Sequence, residues 1–341
     1  LYCSNGNFVN GLTRVKDFFQ TTLYHRDLKT LLEEDRSSNI EYCIIEITAE
    51  SVKRLDEIYN LGFEVIAMTN FYSGLYNHFN SRNEYLDCKR DILKGNTKSV
   101  LLWSGDKSYP LFNDITHETF GYLESDKYRL IVMNNTINGL DLIYQNIRFK
   151  TNLLTAYHAR NLSCALGVLE NLNLLDMKAF SEYAKNIFIR GRFEKFICNG
   201  AKIIIDTGLV GADMLLIGLE KTIGNRNFKT IFSTLHYENI TPWVRESRRR
   251  VGDYLKWSKF IYLNSPTNNE EEEDIFINDV VGSDYKEYSF IPNPRDAIEL
   301  ALKELNDYET IVIFARSHYR MYRSILEEIN DENHLKEERY A

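Results

Sequence analysis

Phe63-Glu64-Val65-Ile66-Ala67-Met68-Thr69 is the stretch on which the reading of the fold turns. It is a short, nearly unbroken apolar run, and its one charge sits near the start. A strand with one wet face alternates apolar and polar residues; a continuous run fits a strand buried on both faces, as in a parallel sheet. On either side, Ser51–Asn60 and Asn83–Leu93 read as helices, the second with Tyr85, Leu86, Ile92 and Leu93 at helical spacing. Tyr42–Ile47 (YCIIEI) and Ser99–Trp103 (SVLLW) repeat the apolar pattern and read as further buried strands. From Phe120 to Phe149 the pattern shortens to brief strands and turns, with hairpin chemistry at Asn138-Gly139.

Past residue 151 the alternation resumes. Asn161–Leu172 and Met177–Ile187 read as helices, followed by strand Lys202–Asp206, helix Ala212–Thr222, strand Phe228–Ser233 and helix Val244–Trp257. Then come strand Phe260–Leu263, helix Asp274–Val281, strand Tyr288–Ile291, helix Pro294–Leu305 with proline in its first turn, and strand Thr310–Phe314. The acid run Asn268–Asp274 reads as a solvated helix start rather than a metal site. Strand–helix alternation gives parallel sheets covered by helices on both faces. A chain of 341 residues exceeds one small core. The expected architecture is α/β, with two domains at 1–150 and 151–341, each a mainly parallel sheet.

Composition narrows the function. The net charge of −8 disfavours nonspecific nucleic-acid binding and docking on an anionic membrane, while leaving room for a nucleotide held locally. The 22 tyrosines and 19 phenylalanines are not interleaved with basic residues, so they read as core and rim rather than as a base-stacking surface. Cys3, Cys43, Cys88, Cys164 and Cys198 form no CxxC pair and are expected as free thiols, which fits a reducing cytoplasm. No signal peptide is visible, and no apolar stretch approaches the roughly 18–20 residues that span a bilayer. The chain starts at Leu1 rather than Met, which suggests an N-terminal truncation. His25, His78, His117, His158 and His236 share no ligand spacing, and no zinc site is expected.

From Glu46 to Lys89 the chain resembles the central domain of Mur ligases, in particular the UDP-N-acetylmuramyl-tripeptide synthetase type that adds the third residue of the peptidoglycan stem peptide. That type carries a strand ending E-V-S-S-H, then T-N-L-x-x-D-H-L-D-Y-H and a helix with Y-x-x-A-K. Here the strand end is Glu46-Ile47-Thr48-Ala49-Glu50, the middle stretch runs from Thr69-Asn70-Phe71 to Phe79, and Tyr85 to Lys89 follows without a gap. Upstream, Gln20-Thr21-Thr22-Leu23 resembles the N-T-T-P loop that contacts the nucleotide-sugar. In the second half Asn161 falls where the family has an adenine-contacting asparagine, and Gly191-Arg192-Phe193-Glu194 resembles its G-R-x-E. Ile203–Asp206 with Thr207-Gly208-Leu209 resembles V-V-D-Y-A-H, and Arg295–Leu302 with Ile311–His318 resembles the closing helix and strand that end in G-K-G-H-E. The similarity implies a central domain followed by a Rossmann-like C-terminal domain.

The resemblance also implies a chemistry. A substrate carboxylate accepts a phosphoryl group from ATP, and an amine then displaces phosphate from the acyl phosphate. Such transfer needs positioning and charge neutralisation above all. Glu46 at a strand end and Lys89, carbamylated in the family, are the implied magnesium and catalytic residues. Asn161, Arg192 and Asp206 are implied for ATP; Thr21, Thr22, Thr48 and His318 for substrate. The expected partner is a UDP-linked muramyl peptide or a similar acidic small molecule.

Departures are as informative. The phosphate loop G-x-x-G-K-T/S is nowhere in the chain; the family places it upstream of the strand that Leu1–Ser4 resembles. The histidine of D-H-L-D is Leu75, with Gly74 and Asn77 in place of its aspartates; Glu50 and Leu209 replace two more histidines. The amino-acid-selecting D-N-P-R falls on Pro266-Thr267-Asn268-Asn269, and G-K-G-H-E becomes Ala315-Arg316-Ser317-His318-Tyr319. Arg248, Arg249 and Arg250, near the family's K-R, read as a solvated helix face. Two functions therefore stand: an ADP-forming amide ligase of peptidoglycan biosynthesis, and a noncatalytic relative that binds a cell-wall intermediate or a partner. An unmodified Lys89 bridged to Glu46 is expected.

Overall fold

The computed structural model describes residues 2–3, 6–9, 13–16, 33, 41–49, 62–71, 79, 81–95, 97–207, 228–233, 252–253, 255–264, 271–282, 284–306, 309–315 and 318–340. The expected helices at 51–60 and 212–222, the Gln20–Leu23 loop and the 72–78 stretch lie outside these residues, as does most of the helix expected at 244–257. The chain divides into two compact units. One is Leu1–Phe120 with Ser125–Lys127 and Gly167–Leu174; the other is Gly121–Glu124, Tyr128–Leu166 and Leu175–Ala341.

The first unit opens with a small antiparallel sheet of β1 (Tyr2–Cys3), β2 (Gly6–Val9) and β3 (Thr13–Lys16). The decisive run is β4 (Phe63–Met68), which pairs in parallel with β5 (Thr97–Trp103); β5 pairs in parallel with β6 (Glu118–Gly121). Between β4 and β5 lies α1 (Arg82–Leu93), started by Ser81, whose hydroxyl accepts the Glu84 N–H at 3.1 Å. Tyr85, Leu86, Ile92 and Leu93 are buried, as their spacing requires, against Val100, Leu102 and Phe112. The expected buried strand at Tyr42–Ile47 is not formed. This stretch makes a single bridge at Ile45, and Tyr42 and Ile44 are 53% and 64% exposed. An apolar run becomes a buried strand only where neighbours pair with it and cover it, and here only Ile47 and Ala49 join the core.

In the second unit β7 (Tyr128–Thr136), β8 (Gly139–Tyr144) and β9 (Ile147–Thr151) form an antiparallel meander. The expected hairpin at Asn138-Gly139 is there, with Thr136 opposite Gly139. Helices α2 (Ala156–Asn171) and α3 (Met177–Ala184) follow. The main sheet holds β10 (Glu194–Cys198), β11 (Ala201–Asp206), β12 (Phe228–Ser233), β13 (Ile261–Asn264), β14 (Tyr288–Phe290) and β15 (Thr310–Phe314), ordered β10-β11-β15-β12-β13-β14. All its neighbours are parallel except β10, an antiparallel edge joined to β11 through Asn199-Gly200. Both residues of that turn have positive φ, 52° and 76°, as a two-residue hairpin of this hand requires. Helix α4 (Glu271–Ile275) starts within the acid run and continues as a π-helical turn, Phe276–Val281. In α5 (Pro294–Lys303) Asn293 caps the helix and proline takes its first position; α6 (Tyr319–Tyr340) closes the chain. β15, at the centre, is buried along its whole length. The α/β class and the parallel sheets are thus as expected. Among the described residues no helix is long and apolar enough to cross a membrane. Of the described cysteines, Cys164 and Cys198 are buried thiols, and Cys43 is exposed.

Two glycines separate backbone strain from steric overlap. At Gly139 φ is +131°, and an added Cβ would lie 2.1 Å from the Thr151 carbonyl oxygen; at Gly200 φ is +76° with nothing within 4 Å. Gly200→Ala is therefore expected to lose about 1–2 kcal/mol from φ alone, and Gly139→Ala distinctly more, because β9 must also give way. Urea midpoints of the two variants check this; equal losses would be the contrary result.

Candidate functional site

Parallel sheets gather ligand sites at the carboxyl ends of their strands, and the expected residues are best followed there. In the first unit the chain leaves β4 through Thr69, Asn70 and Phe71. Lys89, on α1, donates from Nζ to the Asn70 carbonyl at 2.9 Å. The next amide, Phe71 N–H, donates to Asp106 Oδ2 at 2.8 Å, and Ser108 N–H donates to Asp106 Oδ1, also at 2.8 Å. Phe71 stacks on Phe112 with ring centroids 4.0 Å apart, which closes the apolar side. Lys89 Nζ lies 5.0 Å from the centre of the Tyr85 ring. Burial pushes its amine down to about 8, against the pull of Asp106, which raises it.

The carboxylate acting on Lys89 is therefore Asp106 rather than the expected Glu46, which is exposed; Thr48 is half-buried. Thr21 and Thr22 lie outside the described residues. Among the described residues no group of three or more His, Cys, Asp or Glu side chains gathers to hold a metal. Lys89, as an amine donating to a carbonyl, is not a metal donor. The magnesium set implied by the resemblance does not fit the described residues.

The second unit brings more of the expected residues together. Thr155 caps α2, its hydroxyl accepting the His158 N–H at 3.4 Å and meeting His158 Nδ1 at 3.2 Å. His158 is 1% exposed, and its Nε2 is a buried atom with no hydrogen-bond partner. Its ring lies 4.5 Å from that of Tyr157 and edge-on to Phe193 at 5.9 Å. Arg160 donates from Nε and Nη2 to Asn161 Oδ1 at 3.3 and 3.2 Å, with its guanidinium 5.6 Å from the Tyr157 ring centre. Burial first, then the Arg192 and Arg160 charges, push His158 down to about 3; a lesser pull from the Arg192 backbone opposes them.

Arg192 sits on a tightly held turn. Gly191 has φ +66° and Phe193 +47°. The Gly191 carbonyl accepts both Thr207 N–H and Thr207 Oγ1–H at 2.9 Å, and Phe193 N–H donates to Asp206 Oδ2 at 3.1 Å. Asp206, the last residue of β11, is fully buried. Glu194 accepts Gly191 N–H at 3.0 Å, Tyr319 O–H at 2.6 Å and a bond from Arg323. His318, before α6, places Nδ1 3.3 Å from Ser233 Oγ at the end of β12. Sequence reasoning missed Asp106, Tyr157, Arg160 and His158 as neighbours of these groups. For Asp106 a signal existed, an acid just beyond the strand Ser99–Trp103; for the others there was none.

This fold has known counterparts. Residues 8–169 match the family described as Mur ligase middle domain. Over these residues the chain resembles the Mur ligase family. It is 23% identical over 312 residues to UDP-N-acetylmuramoyl-L-alanyl-D-glutamate–2,6-diaminopimelate ligase 1 of Clostridium acetobutylicum, covering 88% of this chain and 63% of that one. It therefore spans less than two thirds of that relative's length. Two solved structures share the fold. One is a UDP-N-acetylmuramoyl-L-alanyl-D-glutamate–2,6-diaminopimelate ligase, with TM-score 0.63 and 14% identity over 95% of this chain and 72% of that one. The other is MurF ligase of Thermotoga maritima in complex with ADP, with TM-score 0.61 and 13% identity over 80% and 62%.

His158 gives this Mur ligase relative a pH signature. The unfolded chain takes up the imidazole proton near pH 6.5 and the folded protein only near 3, so stability falls as pH drops through that window. His158→Gln removes this contribution, and the acid limb of a urea-midpoint profile between those values is expected to flatten. An unchanged slope would place the proton elsewhere.

Proposed function

We propose that the protein is an ATP-dependent amide-bond ligase acting on a UDP-linked muramyl peptide or a similar acidic acceptor, with 1–150 as its central and 151–341 as its C-terminal domain. The observation that carries this reading is the group around the start of α2: two guanidiniums, an amide, aromatic faces and a buried imidazole. This chemistry suits a nucleotide. Asn161 keeps its amide N–H donors for the base, because only its oxygen is taken by Arg160. Arg192 faces phosphate as a planar donor. Asp206 holds the turn that carries Arg192 and stands where a ribose would be read. Thr48, Thr21, Thr22 and His318 serve the substrates, and Glu46 with Lys89 serves catalysis. The acceptor carboxylate becomes an acyl phosphate at the expense of ATP, and an amine displaces the phosphate.

Lys89 adds a second support. An amine with a pKa of about 8 is about a tenth neutral at pH 7, against well under a thousandth at the ordinary 10.5. Only the neutral form captures carbon dioxide as a carbamate, the modification the resemblance implies. A noncatalytic binding role is the other reading, favoured by Leu75, Glu50, Leu209 and Tyr319 at positions where the family carries histidine or glutamate.

ADP release in the presence of ATP, magnesium, UDP-linked muramyl dipeptide and a panel of amino acids tests the ligase. Release that depends on both acceptor and amine is expected; nucleotide binding without turnover would select the binding role. Arg192→Ala is expected to weaken ATP binding about tenfold to a hundredfold, the loss of a charge-assisted contact, measured by calorimetry. Lys89 gives a further check. The folded protein releases this proton near pH 8 and the unfolded chain near 10.5, so stability rises with pH between them. Lys89→Met should abolish that rise.

A further inference from the structure

Glu194, the first residue of β10, carries a carboxylate that is only 3% exposed. A buried carboxylate must be met by donors, and Glu194 draws them from two places. Its own turn supplies Gly191 N–H, 3.0 Å from Oε2. The start of α6 supplies Tyr319 O–H, 2.6 Å from the same oxygen, and Arg323, which donates from Nη1 to Oε1. Tyr319 and Arg323 are four residues apart, so one face of the helix presents both. Burial first, then the bond to Glu194, push the Tyr319 phenol up to about 12, and it keeps the proton it donates. Arg323 is itself held: Nε donates to Glu327 at 2.6 Å, and the guanidinium lies 4.7 Å from the centre of the Phe196 ring.

These bonds converge on the residue before Arg192. Glu194 takes the N–H of Gly191, and Thr207 takes its carbonyl with both an N–H and an O–H. The Tyr319 ring closes a third side: a Cβ added at Gly191 would lie 3.2 Å from Tyr319 Cδ2 and 2.8 Å from Thr207 Cγ2. Helix α6 thus holds the turn twice, through the carboxylate and through the ring. Neutralising a buried acid would need Arg323 alone; the Tyr319 hydroxyl adds direction, because it ties the one oxygen that also holds Gly191. We infer that Tyr319 and Arg323 are positioning residues for a phosphate-bearing ligand: acting through Glu194, they fix Gly191 and with it the point from which the Arg192 guanidinium reaches its anion. The phosphate rests on the reading of Arg192 given above; the clamp on Gly191 does not.

Calorimetry of the full chain with ATP and, separately, with adenosine tests this, at a temperature where every variant is folded. Tyr319→Phe keeps the ring and removes one O–H. It is expected to weaken ATP binding about twofold to tenfold, the range of a single hydrogen bond, and to leave adenosine unchanged. Glu328→Ala is the control: it cuts other ties of α6, to Arg295 and Ser324, and is expected to change neither affinity. An unchanged ATP affinity in Tyr319→Phe overturns the proposal. So does an equal loss for ATP and adenosine, or the same ATP loss in Glu328→Ala, since the hold of α6 would then be merely structural. Hydrogen exchange at the Gly191 amide is read without any ligand. Faster exchange in Tyr319→Phe, and not in Glu328→Ala, is expected; an unchanged rate removes the clamp. A wild-type protein that binds no ATP removes the phosphate and the nucleotide reading together, and Gly191 exchange still decides the clamp.

Discussion

A sheet buried on both faces leaves polar side chains almost nowhere but the strand ends, and the second unit is organised around that constraint. Asp206, Ser233 and Asn264 are the last residues of β11, β12 and β13, and none is exposed. A buried polar group without a partner is expensive, so each must draw one from the chain beyond the strands. Asp206 takes Phe193 N–H; Ser233 takes His318; Asn264 takes Tyr322 and two carbonyls. The segments that would handle a ligand are thereby tied to the sheet by the sheet's own unmet needs.

The turn at 191–194 shows what such ties permit. A phenylalanine at φ +47° is held against its own preference. Its amide is fixed by Asp206, its ring by His158 and Tyr157, and the residues flanking it by Thr207 and Glu194. Strain of this kind persists only where the surroundings over-determine it. The consequence is that Arg192 projects from a rigid base, which a long charged side chain needs if it is to meet phosphate at a fixed place.

Much of the fold was legible because buried strands write themselves as unbroken apolar runs. Phe63–Thr69, Lys202–Asp206 and Thr310–Phe314 were read this way, and strands formed there. The same pattern misled at Tyr42–Ile47, since a run states that it is apolar and not that anything covers it. β10 was missed because Glu194 and Lys195 break its apolar character, although Asn199-Gly200 carried the same hairpin signal that was used at Asn138-Gly139. α6 was missed because its polar face outweighs the Tyr322, Leu326 and Ile329 stripe that buries. Motif order placed Lys89 and Arg192. It could not supply their partners, because Asp106 and His158 reach them across the fold, and no local spacing encodes such meetings.

The two units handle buried charge in opposite ways, and the contrast bears on what each can receive. Lys89 is balanced from within: the Asn70 carbonyl accepts its hydrogen bond and Asp106 draws its pKa up against desolvation. Around the start of α2 the Arg192 and Arg160 charges act on His158, and the buried Asp206 acts on Tyr157 beside it. The Arg192 guanidinium donates to the Gly191 carbonyl at 3.4 Å, and the neighbouring imidazole is forced neutral first by burial and then by the guanidiniums. In a chain of net charge −8, a positive centre kept beside aromatic rings runs against the overall field. The folded protein maintains it because the turn and the helix cap hold it there, and an anion arriving at that place would offset the guanidinium share of what keeps His158 unprotonated, burial being the larger share.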